Sequence, residues 1–353
     1  MQELKLPKKN AFNFLRLICC LVVIYEHVVV LSEAEFPALF RGVAVNIFFI
    51  LSGFWVTQSY LRSSSVKEYF LKRCKKILPQ YLLVVIASAM LLSSFSVYSS
   101  SQYFFSKDFL KYLVANISTL NFIHPKLPGV FAGIGDSAVN GSLWTIKVEI
   151  GFYIILPLIM LLSKKQENAN TGGGYNCIAI IILYVLSAIY GVLMPVLTKR
   201  THLPSSLCNQ LPAYISYFVS GMFFAFYKDI IYKKLNYLII PCGILFIVSF
   251  VLKINAISPF VQPFCLAVII IWLGYHLPFT EIGRKVDYSY SMYLVHYPLI
   301  MCSLACGLFS EHWFFSLLCV LGVSFLLAYI LETLQRKLFD SPNSFIKGDP
   351  IKC

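Results

Sequence analysis

From Ala11 to about Leu334 the sequence is a succession of apolar runs, most of them close to 20 residues long, parted by short polar segments. That recurring length constrains the fold more than any motif. About 20 apolar residues in a helix cross the hydrocarbon core of a bilayer, and there each backbone N–H and C=O must find its partner within the protein. Ten such runs can be counted, at roughly 11–31, 42–61, 77–96, 142–162, 176–195, 211–227, 237–254, 259–277, 289–308 and 314–334. Composition agrees: 58% of the 353 residues are hydrophobic and 13% are charged, against about 25% charged in a soluble domain. The expected fold is an all-α polytopic membrane protein of about ten transmembrane helices. Residues 1–340 are expected to form a single transmembrane domain and 341–353 a short cytoplasmic tail.

The formal net charge is +13. The basic residues fall in short loops between the runs, and nearly three times as many fall in one alternate set of loops as in the other. The positive-inside rule accounts for that bias and puts both termini in the cytoplasm; no nucleic-acid partner is expected. The 11 cysteines form no CxxC pair and no Cys/His ligand spacing, so neither a metal site nor a disulfide framework is expected. The first run carries Arg16, Glu26 and His27 with no small-residue cleavage site after it, and should be retained as a helix. The longest loop, about 97–141, faces outside. A loop of that length is usually functional or disordered, and its glycines suggest turns over the membrane surface.

Charged side chains within spans usually face a partner or a water-filled cavity. Arg16 and His27 lie close to three full helical turns apart, so both project from one face of the first helix, about 16 Å apart along its axis. Glu149, in NGSLWTIKVEIGFYIILPL, is about 10 Å below the outer surface and His27 about 6 Å, a similar depth that would let the two share a cavity. Lys147, two residues from Glu149, is off its helix face. The segment VKEYFLKRCKKILPQYLL, 66–83, reads as a loop whose basic cluster ends at Pro79 where the third span begins. It is either a positive-inside anchor or a cytoplasmic phosphate-binding mouth. By the same counting His296 sits in the inner half of the ninth run, too deep to pair directly with His27, and a structural or donor-side role is expected for it.

Five segments, in order, resemble the acyltransferase-3 family, integral-membrane enzymes that modify extracytoplasmic glycans and lipids. They are Arg16 with ten intervening residues before His27, VNIFFILSGFWVTQSYL, Arg73-x-x-Lys76, NGSLWTIKVEIGFYIILPL and SYSMYLVHYPLI. Two departures stand out. Lys76 replaces the commoner Arg and grips phosphate less well, and Glu26 beside His27 is unexpected; it could shift the imidazole's pKa or face water. No fused hydrolase-like domain of the kind some members carry is expected here, and the resemblance then implies direct acylation of the acceptor or transfer to another protein.

The resemblance implies a multi-pass enzyme of the bacterial inner membrane that moves an acyl group, acetyl first, from acyl-CoA to a hydroxyl of a glycan or lipid-linked glycan such as O-antigen, capsule or exopolysaccharide. His27 and Glu149 are the expected catalytic pair, with His27 as base or acyl carrier. Arg16, Arg73 and Lys76 are the expected acetyl-CoA contacts, with no metal. Ser52 and Gly53, in the LSG turn, either let backbone approach the acyl chain or make a small-residue helix contact. A proton-coupled secondary transporter or an exporter of polysaccharide intermediates is the rival reading, since it too would carry Arg, His and Glu within its spans.

Overall fold

A computed structural model describes residues 9–38, 40–135, 137–163, 176–252 and 254–339. The expected tail at 341–353 and the loop lysines Lys164 and Lys165 lie outside the described residues. In chain order the helices are α1 (Phe12–Leu31), α2 (Arg41–Leu61), α3 (Val66–Leu91), α4 (Ser100–Phe104), α5 (Lys107–Ile117), α6 (Trp144–Ser163) and α7 (Ile178–Arg200), followed by α8 (Leu211–Phe226), α9 (Lys228–Tyr232), α10 (Leu235–Val251), α11 (Ser258–His276), α12 (Ser289–Ala305), α13 (Leu308–Glu311) and α14 (Trp313–Phe339). Among the described residues the sole β feature is an isolated antiparallel bridge between Ser96 and Val130.

Every expected apolar run coincides with a helix. Seven of them, in α1, α2, α3, α6, α7, α11 and α14, are long and apolar enough to cross a membrane. The helices α8, α10 and α12 have 16, 17 and 17 residues. The protein is an all-α polytopic membrane protein.

Residues 66–83 are not the expected loop. They belong to α3, which runs through Pro79. Proline in a helix interior lacks the N–H that would bond the carbonyl four residues back, so Pro79 orphans the Lys75 carbonyl. Gln335 of α14 supplies the missing donor, its Nε2 lying 3.2 Å from that oxygen. The same device recurs at two other prolines in the family-like segments. Pro157 in α6 orphans Tyr153, whose carbonyl accepts the Tyr69 hydroxyl at 3.1 Å. Pro298 in α12 orphans Leu294, whose carbonyl accepts Asn140 Nδ2 at 2.8 Å. In hydrocarbon an unsatisfied carbonyl is costly, so each proline turns a weak point of its helix into an acceptor for a neighbouring segment.

The described residues form two compact units. The first draws on Met1–Leu15, Val45–Phe70 and Val148–Ile282. In it α2 and α8 approach backbone to backbone: a Cβ added to Gly53 would lie 1.9 Å from the Phe218 carbonyl oxygen, and one added to Gly221 would lie 2.0 Å from that of Ile50. Gly53 is therefore in a helix and not in a turn. Of its two expected roles, the small-residue helix contact is the one present. Phe152 stacks on Phe218 beside this crossing, centroids 4.3 Å apart. Ser187 of α7 enters the first turn of α8, donating to the Pro212 carbonyl at 2.6 Å and accepting from the Ser216 amide at 2.9 Å. Those two groups would otherwise bond each other, so the insertion ties α7 to α8.

The second unit draws on Arg16–Ala44, Leu71–Lys147 and Gly283–Cys353. Here α1 and α12 run parallel and in register. Arg16 meets Asp287 at 3.2 Å, the Cys20 thiol donates to the Ser289 carbonyl at 3.3 Å, and His27 meets His296 at 3.1 Å. A polar cluster links α3, α12 and α14: Ser291 donates to Gln80 Oε1 at 2.7 Å, and Gln80 Nε2 donates to Glu332 at 2.8 Å. The segment between α3 and α6 is built and not loose. Its helices α4 and α5 start with serine caps, Ser99 and Ser106. Tyr81 donates to the Asn116 carbonyl at 2.7 Å and Tyr103 to that of Ala89 at 2.7 Å. Burial pushes the Tyr103 phenol up to about 12, which keeps it a donor.

Candidate active site

His27 lies near the end of α1, half-buried, with its Nδ1 3.1 Å from Nε2 of the fully buried His296. This corrects the expectation that depth separates them. The start of α12 at Ser289 agrees with the sequence; what counting along one run could not give is its level against α1, where Ser289 stands beside Cys20, so seven residues further on both helices reach the two imidazoles together.

The protons of this pair follow from its partners. His296 Nδ1 lies 2.8 Å from the Tyr293 carbonyl. A carbonyl oxygen can only accept, so Nδ1 carries the proton and, in the neutral ring, Nε2 is an acceptor. His27 must then donate from Nδ1, which makes Nε2 the basic nitrogen of its neutral ring. The buried histidine thus sets the tautomer of the half-buried one, as a hydrogen-bonded carbonyl or carboxylate does for histidines elsewhere. A fixed tautomer with a basic Nε2 is the arrangement a general base needs.

The turn before α6 packs on the same stretch of α12. Besides the Asn140 bond to Leu294, Ser142 donates to Asn140 Oδ1 at 2.7 Å, and Thr145 donates to the Tyr293 phenol oxygen at 2.9 Å. Gly141 has no room for a side chain, since a Cβ there would lie 2.7 Å from the ring of Tyr297. Tyr297 meets the His27 ring edge-on at 5.5 Å. The NGSLW segment therefore acts as a brace for the α12 turn that carries His296.

Arg16 Nη1 pairs with Asp287 Oδ2 at 3.2 Å, both side chains half-buried. The other oxygen of Asp287 accepts the Ser289 amide at 3.0 Å, at the start of α12. The sequence reading missed Asp287. An acid directly before the SYS segment, facing an otherwise unexplained intramembrane arginine, was the available signal. Arg73 is buried and Lys76 half-buried, one turn apart on α3 rather than in a loop mouth. Glu26 neither faces water nor shares the face of His27. It is 1% exposed and accepts the Phe40 amide on the approach to α2. Glu149 lies in the first unit, where its Oε1 accepts the Tyr153 hydroxyl at 2.6 Å and the Ser52 hydroxyl at 3.4 Å. Among the described residues no group of three or more His, Cys, Asp and Glu side chains is placed to hold a metal ion.

Comparison with known proteins identifies the family. The acyltransferase-domain family of the acyltransferase-3 type matches residues 9–333. Nodulation protein 10 of Rhizobium leguminosarum bv. viciae is 26% identical over 323 residues, 86% of each chain. An O-acetyl transferase of Shigella phage Sf6 is 28% identical over 189 residues, 52% of this chain and 53% of its own. An uncharacterized protein of Haemophilus influenzae is 27% identical over 131 residues, 35% of this chain and 50% of its own. No solved structure matches the chain. The match spans both units and every segment described above, from Arg16 to His296, and the chain belongs to the acyltransferase-3 family as a multi-pass membrane acyltransferase.

Proposed function

We propose that the protein transfers an acetyl or similar acyl group from acyl-CoA to a hydroxyl of a bacterial surface polysaccharide, O-antigen, capsule or exopolysaccharide, while resident in the bacterial inner membrane. The His27–His296 pair carries this reading. Oxygen acylation needs a base for the hydroxyl proton, and a histidine whose Nδ1–H is held by an acceptor offers that base at Nε2. The acceptor oxygen attacks the thioester carbonyl as its proton passes to His27 Nε2. The C–O bond forms, the C–S bond breaks, and His27 returns the proton to the departing thiolate. The imidazolium formed in between keeps its Nδ1–H bond to His296. Arg73 and Lys76 are assigned to the CoA phosphates and Arg16, braced by Asp287, to the neighbourhood of the pantetheine arm. Glu149 enters as the second catalytic group, tested by Glu149→Gln. Both termini are assigned to the cytoplasm on the basic-residue bias of the loops. The name of the phage relative, an O-acetyl transferase, supports the choice of acetyl and of oxygen as acceptor atom.

The test is proton NMR of surface polysaccharide, before and after mild base, from a deletion strain carrying wild-type protein or His27→Ala at equal membrane abundance. Base-labile acyl signals should return with wild type and not with His27→Ala. Equal acylation by both proteins would remove His27 from the chemistry. Export of an unacylated glycan that depends on the protein would favour the transporter.

A further inference from the structure

A cavity of 650 Å3 opens in the second unit, in the segment between α3 and α6. We infer that this cleft is a saccharide-binding subsite that receives the acceptor glycan; the inference rests on the acyltransferase reading above. Its lining combines the exposed ring of Tyr98 with Gln102, Asp108, His124 and Lys126, and with proline walls at 125 and 128. A sugar ring has an apolar C–H face and a rim of hydroxyls that both donate and accept. An aromatic face together with side chains of both hydrogen-bonding senses and both charges meets those demands. A cleft for a phosphate or for a fatty chain would be dominated by cations or by apolar groups. The volume falls in the range of small-molecule sites, about 300–1,000 Å3.

The walls are fixed before any ligand arrives. Ser96 Oγ donates to the Pro128 carbonyl at 2.7 Å, and the Val97 amide donates to that of Gly129 at 3.1 Å. Gly129 sits at a φ of 64°, and a Cβ there would lie 2.9 Å from both Ser96 Oγ and the Tyr98 ring. The glycine thus lets the 128–130 turn close against the base of Tyr98. Asn116 Nδ2 holds the His124 carbonyl at 3.0 Å. Gln102 is held by the capping box with Ser99. Preformed walls reduce the ordering cost of binding.

The cleft is also tied to the histidine pair. The Val139 amide donates to the carbonyl of Pro125, a wall residue, at 2.9 Å. The next residue is Asn140, which bonds the α12 turn leading to His296. A glycan seated in the cleft therefore rests on the segment that braces the proposed base.

The experiment uses purified full-length protein in lipid nanodiscs. The probe is an oligosaccharide prepared by mild base from the polysaccharide of the deletion strain. Saturation-transfer NMR without acetyl-CoA reads binding, and radiolabelled acetyl transfer reads turnover. Tyr98→Ala should weaken probe binding and raise the acceptor KM by about tenfold, the scale of one lost aromatic contact. The KM for acetyl-CoA and kcat should stay at wild-type values, which also shows that the variant is folded. Tyr98→Phe, which keeps the ring, should behave as wild type, and Gln102→Ala should follow Tyr98→Ala. Unchanged probe binding in Tyr98→Ala, or no binding by wild type, would overturn the subsite. Probe binding by wild type without acetyl transfer would overturn the proposed reaction and leave the subsite standing.

Discussion

Replacing His296 tests the histidine pair without touching the proposed base. In His296→Ala the Nδ1–H of half-buried His27 loses the acceptor that His296 Nε2 provides. The ring is then no longer held in the tautomer that makes Nε2 basic. During the reaction the same N–H belongs to an imidazolium, so the lost interaction is a hydrogen bond to a charged group, worth about 1.5–3 kcal/mol. At about 1.4 kcal/mol per decade, kcat should fall by about 10- to 150-fold, with both KM values little changed because the loss is confined to the transition state. His296→Gln places a carbonyl oxygen where Nε2 was and should recover part of the rate. A merely structural role predicts no such ordering of the two variants. The double variant His27→Ala/His296→Ala should be no slower than His27→Ala alone, because a positioning residue has nothing left to position. The assay is transfer of radiolabelled acetyl to de-O-acylated oligosaccharide by purified protein, at amounts matched by size-exclusion profile. Wild-type kcat in His296→Ala, or additive losses in the double variant, would refute the tautomer argument.

Other consequences are as direct. Asn140→Leu should destabilise the protein by about 1–3 kcal/mol by leaving the Leu294 carbonyl unsatisfied; combining it with Pro298→Ala should recover much of the loss, since alanine brings the helical N–H that proline lacks, and thermal unfolding in detergent reads both. Gly53→Ala drives a methyl to 1.9 Å from the Phe218 carbonyl, and should cost more than about 4 kcal/mol, read as loss of folded protein in the membrane fraction. Arg73→Ala should raise the KM for acetyl-CoA with the acceptor KM unchanged, and an unaltered donor KM in steady-state kinetics would remove Arg73 from the donor site. Arg16→Ala and Asp287→Asn should depress transfer alike if the ion pair acts by seating the start of α12; a deficit in Arg16→Ala alone would assign the guanidinium a role of its own.

Much of the architecture was legible in the chain because hydrophobic length is a local property. A run of about 20 apolar residues declares a membrane helix wherever its neighbours are, and all ten runs appear as helices. The errors arose where a local rule met a tertiary substitute. Proline at 79 marked a boundary only for as long as no other segment could bond the Lys75 carbonyl, and Gln335, more than 250 positions away, does so. The LSG segment looked like a turn because glycine in isolation favours one. The opposing backbone at Phe218 is what made it a helix crossing.

The candidate site divides in the same way. His27, Arg16 and Glu149 could be named as candidates from the sequence, because a charged or titratable group in an apolar run is conspicuous by itself, and Arg73 and Lys76 from the basic cluster ahead of the third run. Their partners could not. His296 and Asp287 meet α1 only because α12 begins alongside Cys20, an offset that depends on how two helices slide and not on either composition. Glu26 looked like a neighbour of His27 along the chain, yet adjacent helical residues point some 100° apart, and packing sent it to the Phe40 amide. The sequence by itself determined that this chain is a multi-pass membrane protein and which polar groups it carries into the bilayer. Tertiary structure alone decided the register of α1 against α12, and with it which nitrogen of His27 carries its proton.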